Sequence, residues 1–209
     1  KFILLVPSTP IKEGTKNFIE AEYSKKHFAD IYPTTTLKLE VLNAQKSKKS
    51  GRKMFPGSIT EFSRGSRLEK NRINVLLMSD SMLLSKKTMD KDDYDQTVFG
   101  AYTQPYKALE ETRPIIIIDE PHRFKRENKA YQCIVDKIQP QCIIRFGATF
   151  PNMPKGNEKD YNNLVYNLGT CEAFNDNLVK GVAVQTLNNV DGEDAKIKLM
   201  KVINRPKSC

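Results

Sequence analysis

No run of apolar residues in the sequence approaches the length of a membrane span, so no transmembrane helix is expected in it. No signal peptide is visible either: the apolar start, residues 2–6, is stopped by Pro7, and no small-residue cleavage site follows. Histidine is scarce, with only His27 and His122, and the four cysteines (Cys133, Cys142, Cys171 and Cys209) form no C-x-x-C pair. A zinc site built from such a set is not expected, and reduced thiols of a cytoplasmic protein are the simple reading. There is no internal repeat and no low-complexity tract. No G-x-x-x-x-G-K-[ST] occurs in the 209 residues, so the loop that cradles nucleotide phosphates in many ATPases is not among them. Gly51-Arg52-Lys53 does not substitute for it, because it lacks the first Gly, the Gly-Lys-Ser/Thr end and a preceding buried strand.

What the chain has in excess is positive charge. Thirty-four Lys and Arg against 25 Asp and Glu give a formal +9, and the sequence pI is about 9.3. That balance favours an anionic partner, nucleic acid before a membrane surface, since no amphipathic basic helix stands out. Hydrophobic residues at 39% and charged residues at 28% suit a globular chain of one domain, or one domain with an extension.

The most informative stretch is Ile115-Ile116-Ile117-Ile118-Asp119-Glu120-Pro121-His122. Four β-branched residues in a row read as a strand buried on both faces, as in a parallel sheet covered by helices. Two acids at its carboxyl end would sit in the crevice where open α/β sheets bind ligands. Pro121 ends the ladder, having no N–H to give. A carboxylate pair fixed there suits phosphate chemistry: one holds Mg²⁺ and its neighbour orients or deprotonates a water. Taken alone, an Asp-Glu pair is more often a solvated loop or a cap. Its company argues otherwise, because a second apolar strand, Cys142–Phe146, exits into Gly147-Ala148-Thr149 at a spacing typical of a strand–helix–strand unit.

Other elements follow in order. Residues 2–6 read as a buried strand, residues 11–31 as one helix with Phe18, Ile19, Ala21, Tyr23, Phe28 and Ile31 on its apolar face, and Thr36–Val41 as a strand. Residues 45–56 form a basic loop carrying Lys48, Lys49, Arg52 and Lys53, which tracks phosphates or is a solvated surface loop. No aromatic platform interleaves with its bases, so single-strand stacking is not indicated. Residues 73–78 form a buried strand ending at Ser79-Asp80. Residues 85–95 show no period and read as a loop. Pro105–Thr112 reads as a helix, residues 123–138 as a crossover helix, and Cys142–Phe146 as the next buried strand. Residues 182–187 look like a strand, and the basic tail alternates.

Asp119-Glu120-Pro121-His122 followed by Gly147-Ala148-Thr149 resembles the first motor domain of superfamily 2 helicases, whose Walker B motif reads Asp-Glu-x-His. The words IIIIDEPHRF (115–124), CIIRFGATFP (142–151), FGAYTQP (99–105) and LVKGV (178–182) resemble more closely the Res subunit of type III restriction-modification enzymes. The resemblance implies a three-layer α/β/α fold with a mostly parallel sheet, a RecA-like P-loop NTPase helicase domain lacking its first strand and P-loop. Residues 1–188 would be that partial motor domain and 189–209 a C-terminal extension. It implies ATP and Mg²⁺ as cofactors, double-stranded DNA and a DNA methyltransferase (modification) subunit as partners, and no membrane.

By the same resemblance Asp119 would hold Mg²⁺ through water, and Glu120 would be the general base. His122 would link the nucleotide site to Gly147, Ala148 and Thr149. Pro7, Ser8 and Thr9 would match the first DNA-contacting motif, and Ser79 and Asp80 another backbone contact. The phosphate loop would lie upstream of Lys1, and this piece alone would not hydrolyse ATP. Other superfamily 2 motors, such as a type I restriction motor subunit, and a non-catalytic nucleic-acid-binding module stay open at this point.

Overall fold

A computed structural model describes residues 1–44, 54–64, 71–95, 97–98, 100–153, 156, 158–161 and 163–178. They fall into two compact units, residues 1–161 and 162–209. In the second unit the described structure is one short helix, α7 (Thr170–Asn175), with the side chain of Glu172 accepting from the backbone N–H of Gly169 at 3.0 Å. The boundary expected at residue 188, the strand at 182–187, the tail and the basic residues Lys48, Lys49, Arg52 and Lys53 lie outside the described residues.

The first unit is a five-stranded sheet, and every pairing in it is parallel. Its strands are β1 (Phe2–Val6), β2 (Thr36–Val41), β3 (Arg72–Ser79), β4 (Ile115–Asp119) and β5 (Cys142–Phe146). They lie in the order β2-β3-β1-β4-β5. Register aligns Leu76, Ile3 and Ile116 in one row and Met78, Leu5 and Ile118 in the next. All six are fully buried, and they form the floor of the main core. Ile59 and Phe62 of α3 (Gly57–Arg64), Tyr106, Ala108 and Leu109 of α5 (Pro105–Thr112), and Ala130 of α6 (Lys129–Cys133) cover that floor.

The path of the chain explains which face each helix takes. From β1 it moves two positions one way to β2, through α1 (Thr9–Glu20) and α2 (Glu22–Ile31). From β2, β3 and β4 it moves back the other way. Right-handed crossovers therefore put α1 and α2 on one face and α3, α5 and α6 on the other. In agreement, α1 packs on β1, β2 and β3 and contributes nothing to the main core. The three-layer α/β/α architecture expected from the sequence is thus present.

Several local expectations need correction. The helix expected over 11–31 is two helices, broken at Ala21, whose ψ of 141° is extended. Its expected buried face is open: Phe18, Tyr23 and Ile31 are 58%, 64% and 55% exposed. The aromatics there pack on one another instead, Phe18 against Tyr23 and Phe28 against Tyr32. β4 and β5 are not buried on both faces. Ile117 is half-buried, and Ile144 and Phe146 of the edge strand β5 are exposed, because the core helices cover only the opposite face. The crossover helix begins at Lys129 rather than Arg123 and ends in a wide π turn, Ile134–Ile138. Phe124, fully buried, and the Asn128 side chain, donating to the Arg123 carbonyl, hold the intervening segment irregular. Residues 85–95 are a loop as expected, but an anchored one. Met89 and Tyr94 are buried, and the Tyr94 hydroxyl donates to the Thr88 carbonyl at 2.8 Å.

Candidate active site at the carboxyl lip of the sheet

Because all strands run parallel, their carboxyl ends share one lip. Pro7–Thr9 leaves β1 there, Ser79-Asp80 leaves β3, Asp119-Glu120 leaves β4 and Gly147–Thr149 leaves β5. β1 and β4 are adjacent, yet the chain leaving β1 crosses to one side of the sheet and the chain leaving β4 to the other. Such a divergence opens a crevice, and it is where open α/β sheets bind their ligands. The acids expected to do chemistry stand at this crevice.

Asp119 is the last residue of β4 and is in register with Phe146 of β5. The next residue turns sharply. Glu120 has φ 56° and ψ 66°, the left-handed region that non-glycine residues rarely enter. Its N–H still donates to the Phe146 carbonyl at 3.0 Å, which ties the turn to the neighbouring strand. Pro121 then opens a single 3₁₀ turn, Pro121–Arg123. This turn aims the His122 ring back across Glu120: Nδ1 lies 3.0 Å from Glu120 Oε2 and 3.4 Å from Thr149 Oγ1. One imidazole nitrogen thus faces both the carboxylate and the hydroxyl of the second motif.

Gly147 explains how the two motifs approach so closely. A Cβ built there would stand 2.4 Å from Pro121 Cδ and 3.1 Å from Cγ. Only glycine lets the β5 exit pass over the proline ring. Ala148 and Thr149 are exposed beyond it, and Glu120 and His122 are half-exposed, so solvent and a ligand reach all of them.

The expected backbone-contacting residues are on the same lip in different states. Pro7 is buried, Ser8 half-buried and Thr9 exposed at the first turn of α1, whose N-cap carries no side-chain hydrogen bond. Ser79 is buried, and its hydroxyl accepts from the Met82 N–H and lies 2.9 Å from Ser81 Oγ. It caps α4 (Asp80–Leu83), and Asp80 accepts from the Ser81 N–H at 2.6 Å. Ser81, next in the turn, is exposed.

Two further features escaped the sequence. Lys12, one turn into α1, is 5% exposed, with its ammonium donating to Asn43 Oδ1 at 2.7 Å. A buried lysine on a helix that reads as amphipathic leaves no sequence signal. The other is Asp160, 1% exposed and held by two arginines: Arg126 Nε donates to Oδ1 at 2.6 Å and Arg145 Nη1 to Oδ2 at 3.1 Å. Burial on its own would raise this carboxyl's pKa. Hydrogen bonds and charge from Arg126 and Arg145 outweigh that, and the net shift is downward.

Among the described residues, no group of three or more His, Cys, Asp or Glu is arranged to hold a metal ion. Mg²⁺, however, is commonly held by one or two carboxylates together with waters and substrate phosphates. Asp119, half-buried at the carboxyl end of β4, supplies a donor of that type.

A mostly parallel five-stranded sheet flanked by helices, with an acid pair at its carboxyl lip, is the architecture of a RecA-like helicase domain. A family model described as type III restriction enzyme, res subunit, matches residues 1–152, and the chain belongs to that family. It is 47% identical, over 88% of its length, to the type III restriction-modification enzyme StyLTI Res subunit of Salmonella typhimurium. Over 87% it is 40% identical to the EcoP15I Res subunit of Escherichia coli and 39% to the EcoPI Res subunit of Escherichia phage P1. The chain spans only 19%, 18% and 18% of the lengths of these relatives.

Proposed function

We propose that these residues are part of the ATP-driven DNA motor of a type III restriction endonuclease and carry the water-activating half of its nucleotide site. The observation that supports this best is the cluster at the lip, where Glu120, His122 and Thr149 meet within hydrogen-bonding range. In this reading Glu120 accepts a proton from the attacking water, and its left-handed backbone aims the carboxylate into the crevice. Asp119 would hold Mg²⁺ through water, and the ion when bound neutralises phosphate charge. His122 touches both Glu120 and Thr149, so a change at the carboxylate is felt at the Gly147–Thr149 turn. That contact would couple hydrolysis to movement on DNA.

Double-stranded DNA would run along the β1 and β3 end of the same lip. Ser8, Thr9 and the free N–H groups of α1 would contact its phosphates, with Pro7 shaping the turn and Lys12 adding charge beneath it. Ser79 and Asp80 would set the second contact by fixing the α4 turn, on which Ser81 is exposed. Lys48, Lys49, Arg52 and Lys53 would add further phosphate contacts. In the whole protein a DNA methyltransferase subunit would be the partner, and hydrolysis would drive translocation and cleavage. The 209 residues hold no G-x-x-x-x-G-K-[ST], so this chain on its own would not turn over ATP.

The test is phosphate release, with and without duplex DNA, from this chain and from the full-length protein. DNA-stimulated release from the full-length protein alone is the expected result. Release from neither would remove the motor reading, and release from this chain by itself would show that it needs no further nucleotide loop.

A further inference from the structure

Asp160 is the most deeply buried carboxylate among the described residues, and the proposed chemistry does not use it. Its two partners come from the two segments that form the lip site. Arg126 lies four residues beyond His122, on the irregular segment leaving β4. Arg145 lies on β5, two residues before Gly147, and its side chain also donates to the Asp160 carbonyl. Asp160 itself lies in a segment that pairs back onto the residues following Thr149. Its N–H donates to the Pro151 carbonyl at 2.8 Å, and the Met153 N–H donates to the Glu158 carbonyl at 2.8 Å. Asn152 bridges Lys159, Lys159 Nζ donates to the Phe150 carbonyl, and the Phe150 ring packs edge-on against Tyr161 and under Arg145. One carboxylate therefore joins the exit of β4, the exit of β5 and the segment that follows Thr149.

We propose that Asp160 is a positioning residue that, through Arg126 and Arg145, fixes the His122 ring against Thr149. The direct bond between those two side chains is long, 3.4 Å, and exposed. A contact of that kind does not hold two loops by itself. The buried, doubly paired carboxylate does, because a segment that moves away must pull its arginine off a carboxylate that is 1% exposed. The pairs use defined donor directions at both carboxylate oxygens, which makes the clasp a fixed spacer rather than a diffuse attraction. Its role in coupling rests on the reading of Glu120, His122 and Thr149 as one relay. The spacing itself does not.

The experiment has two arms. In the first, this chain is studied by NMR, reading the cross-peak between the Thr149 methyl and the His122 ring. His27 on α2 serves as the internal control. Asp160→Asn and Arg126→Gln should each abolish the cross-peak while the Ile116 and Ile118 methyls and the His27 ring keep their shifts. Arg126 is one-third exposed, so its variant leaves Arg145 on Asp160 and preserves the fold if Asp160→Asn does not. A cross-peak undiminished in a folded Arg126→Gln protein would overturn the proposal. In the second arm, the full-length protein carrying Arg126→Gln should lose on the order of a hundredfold in DNA-stimulated kcat with little change in KM for ATP. Loss of the cross-peak with unchanged turnover would uphold the spacer and overturn the relay.

Discussion

Glu120 carries the tension between fold and chemistry in a single residue. A left-handed φ costs a non-glycine residue roughly 1–2 kcal/mol, and here it falls on the residue whose carboxylate lies 3.0 Å from His122 Nδ1 at the lip. Strain of this kind persists where the surroundings hold it, commonly at functional sites. Glu120→Gly should therefore raise the unfolding free energy of this chain by about 1 kcal/mol in urea titration while removing the carboxylate. A destabilised Glu120→Gly would show that the turn is held by the side chain and not against its own preference. At Gly147 the constraint is space. A methyl group there meets a rigid proline ring at 2.4 Å, so Gly147→Ala should cost about 1–3 kcal/mol and displace Glu120. An unfolding midpoint equal to wild type would mean that the β5 exit moves aside freely.

At the scale of elements, the clasp between β5 and the two loops gives the fold an acid-sensitive point. The Asp160 carboxyl is lowered in the folded chain and returns to its ordinary value, 3.8, on unfolding. Its contribution to stability is then complete above about pH 4 and is lost as pH falls through the lower folded value. Urea titrations between pH 6 and acid should show wild type losing stability on that descent, with Asp160→Asn less stable at neutral pH and flatter toward acid. Equal slopes for both would remove Asp160 from the linkage. Much of this level was legible from sequence. The four isoleucines, the alternation of Thr36–Val41 and the proline opening Pro105–Thr112 named their elements because strand and helix periods and Pro preferences are local. What was not legible depended on partners distant in sequence. The open faces of β5 and α2, the buried Lys12 and the Arg126–Asp160–Arg145 cluster all turn on which neighbours tertiary packing supplies. An edge strand and a central strand share one apolar pattern. The lip itself was legible only because Asp-Glu-Pro-His and Gly-Ala-Thr are distinctive words. Their 3.0 and 3.4 Å contacts to one imidazole nitrogen required the left-handed turn at Glu120, which no local preference announces.

For the whole molecule, topology supplies a place for a ligand and the net charge bears on its sign. The crossing direction reverses between β1 and β4, which opens a crevice at the lip, and the net charge of +9 favours a polyanion. If the basic stretch follows phosphates, replacing Lys48, Lys49 and Lys53 together should weaken duplex binding and lower the slope of log K against log salt by about 2.7. An unchanged slope would remove these residues from the phosphate contacts. The central claim is that the lip activates water for nucleotide hydrolysis, and Glu120→Gln tests it most directly because the amide keeps the shape and loses the base. Phosphate release by the full-length protein on duplex DNA should fall at least about a hundredfold, with the unfolding profile unchanged. Release at the wild-type rate from a folded Glu120→Gln protein would contradict the account.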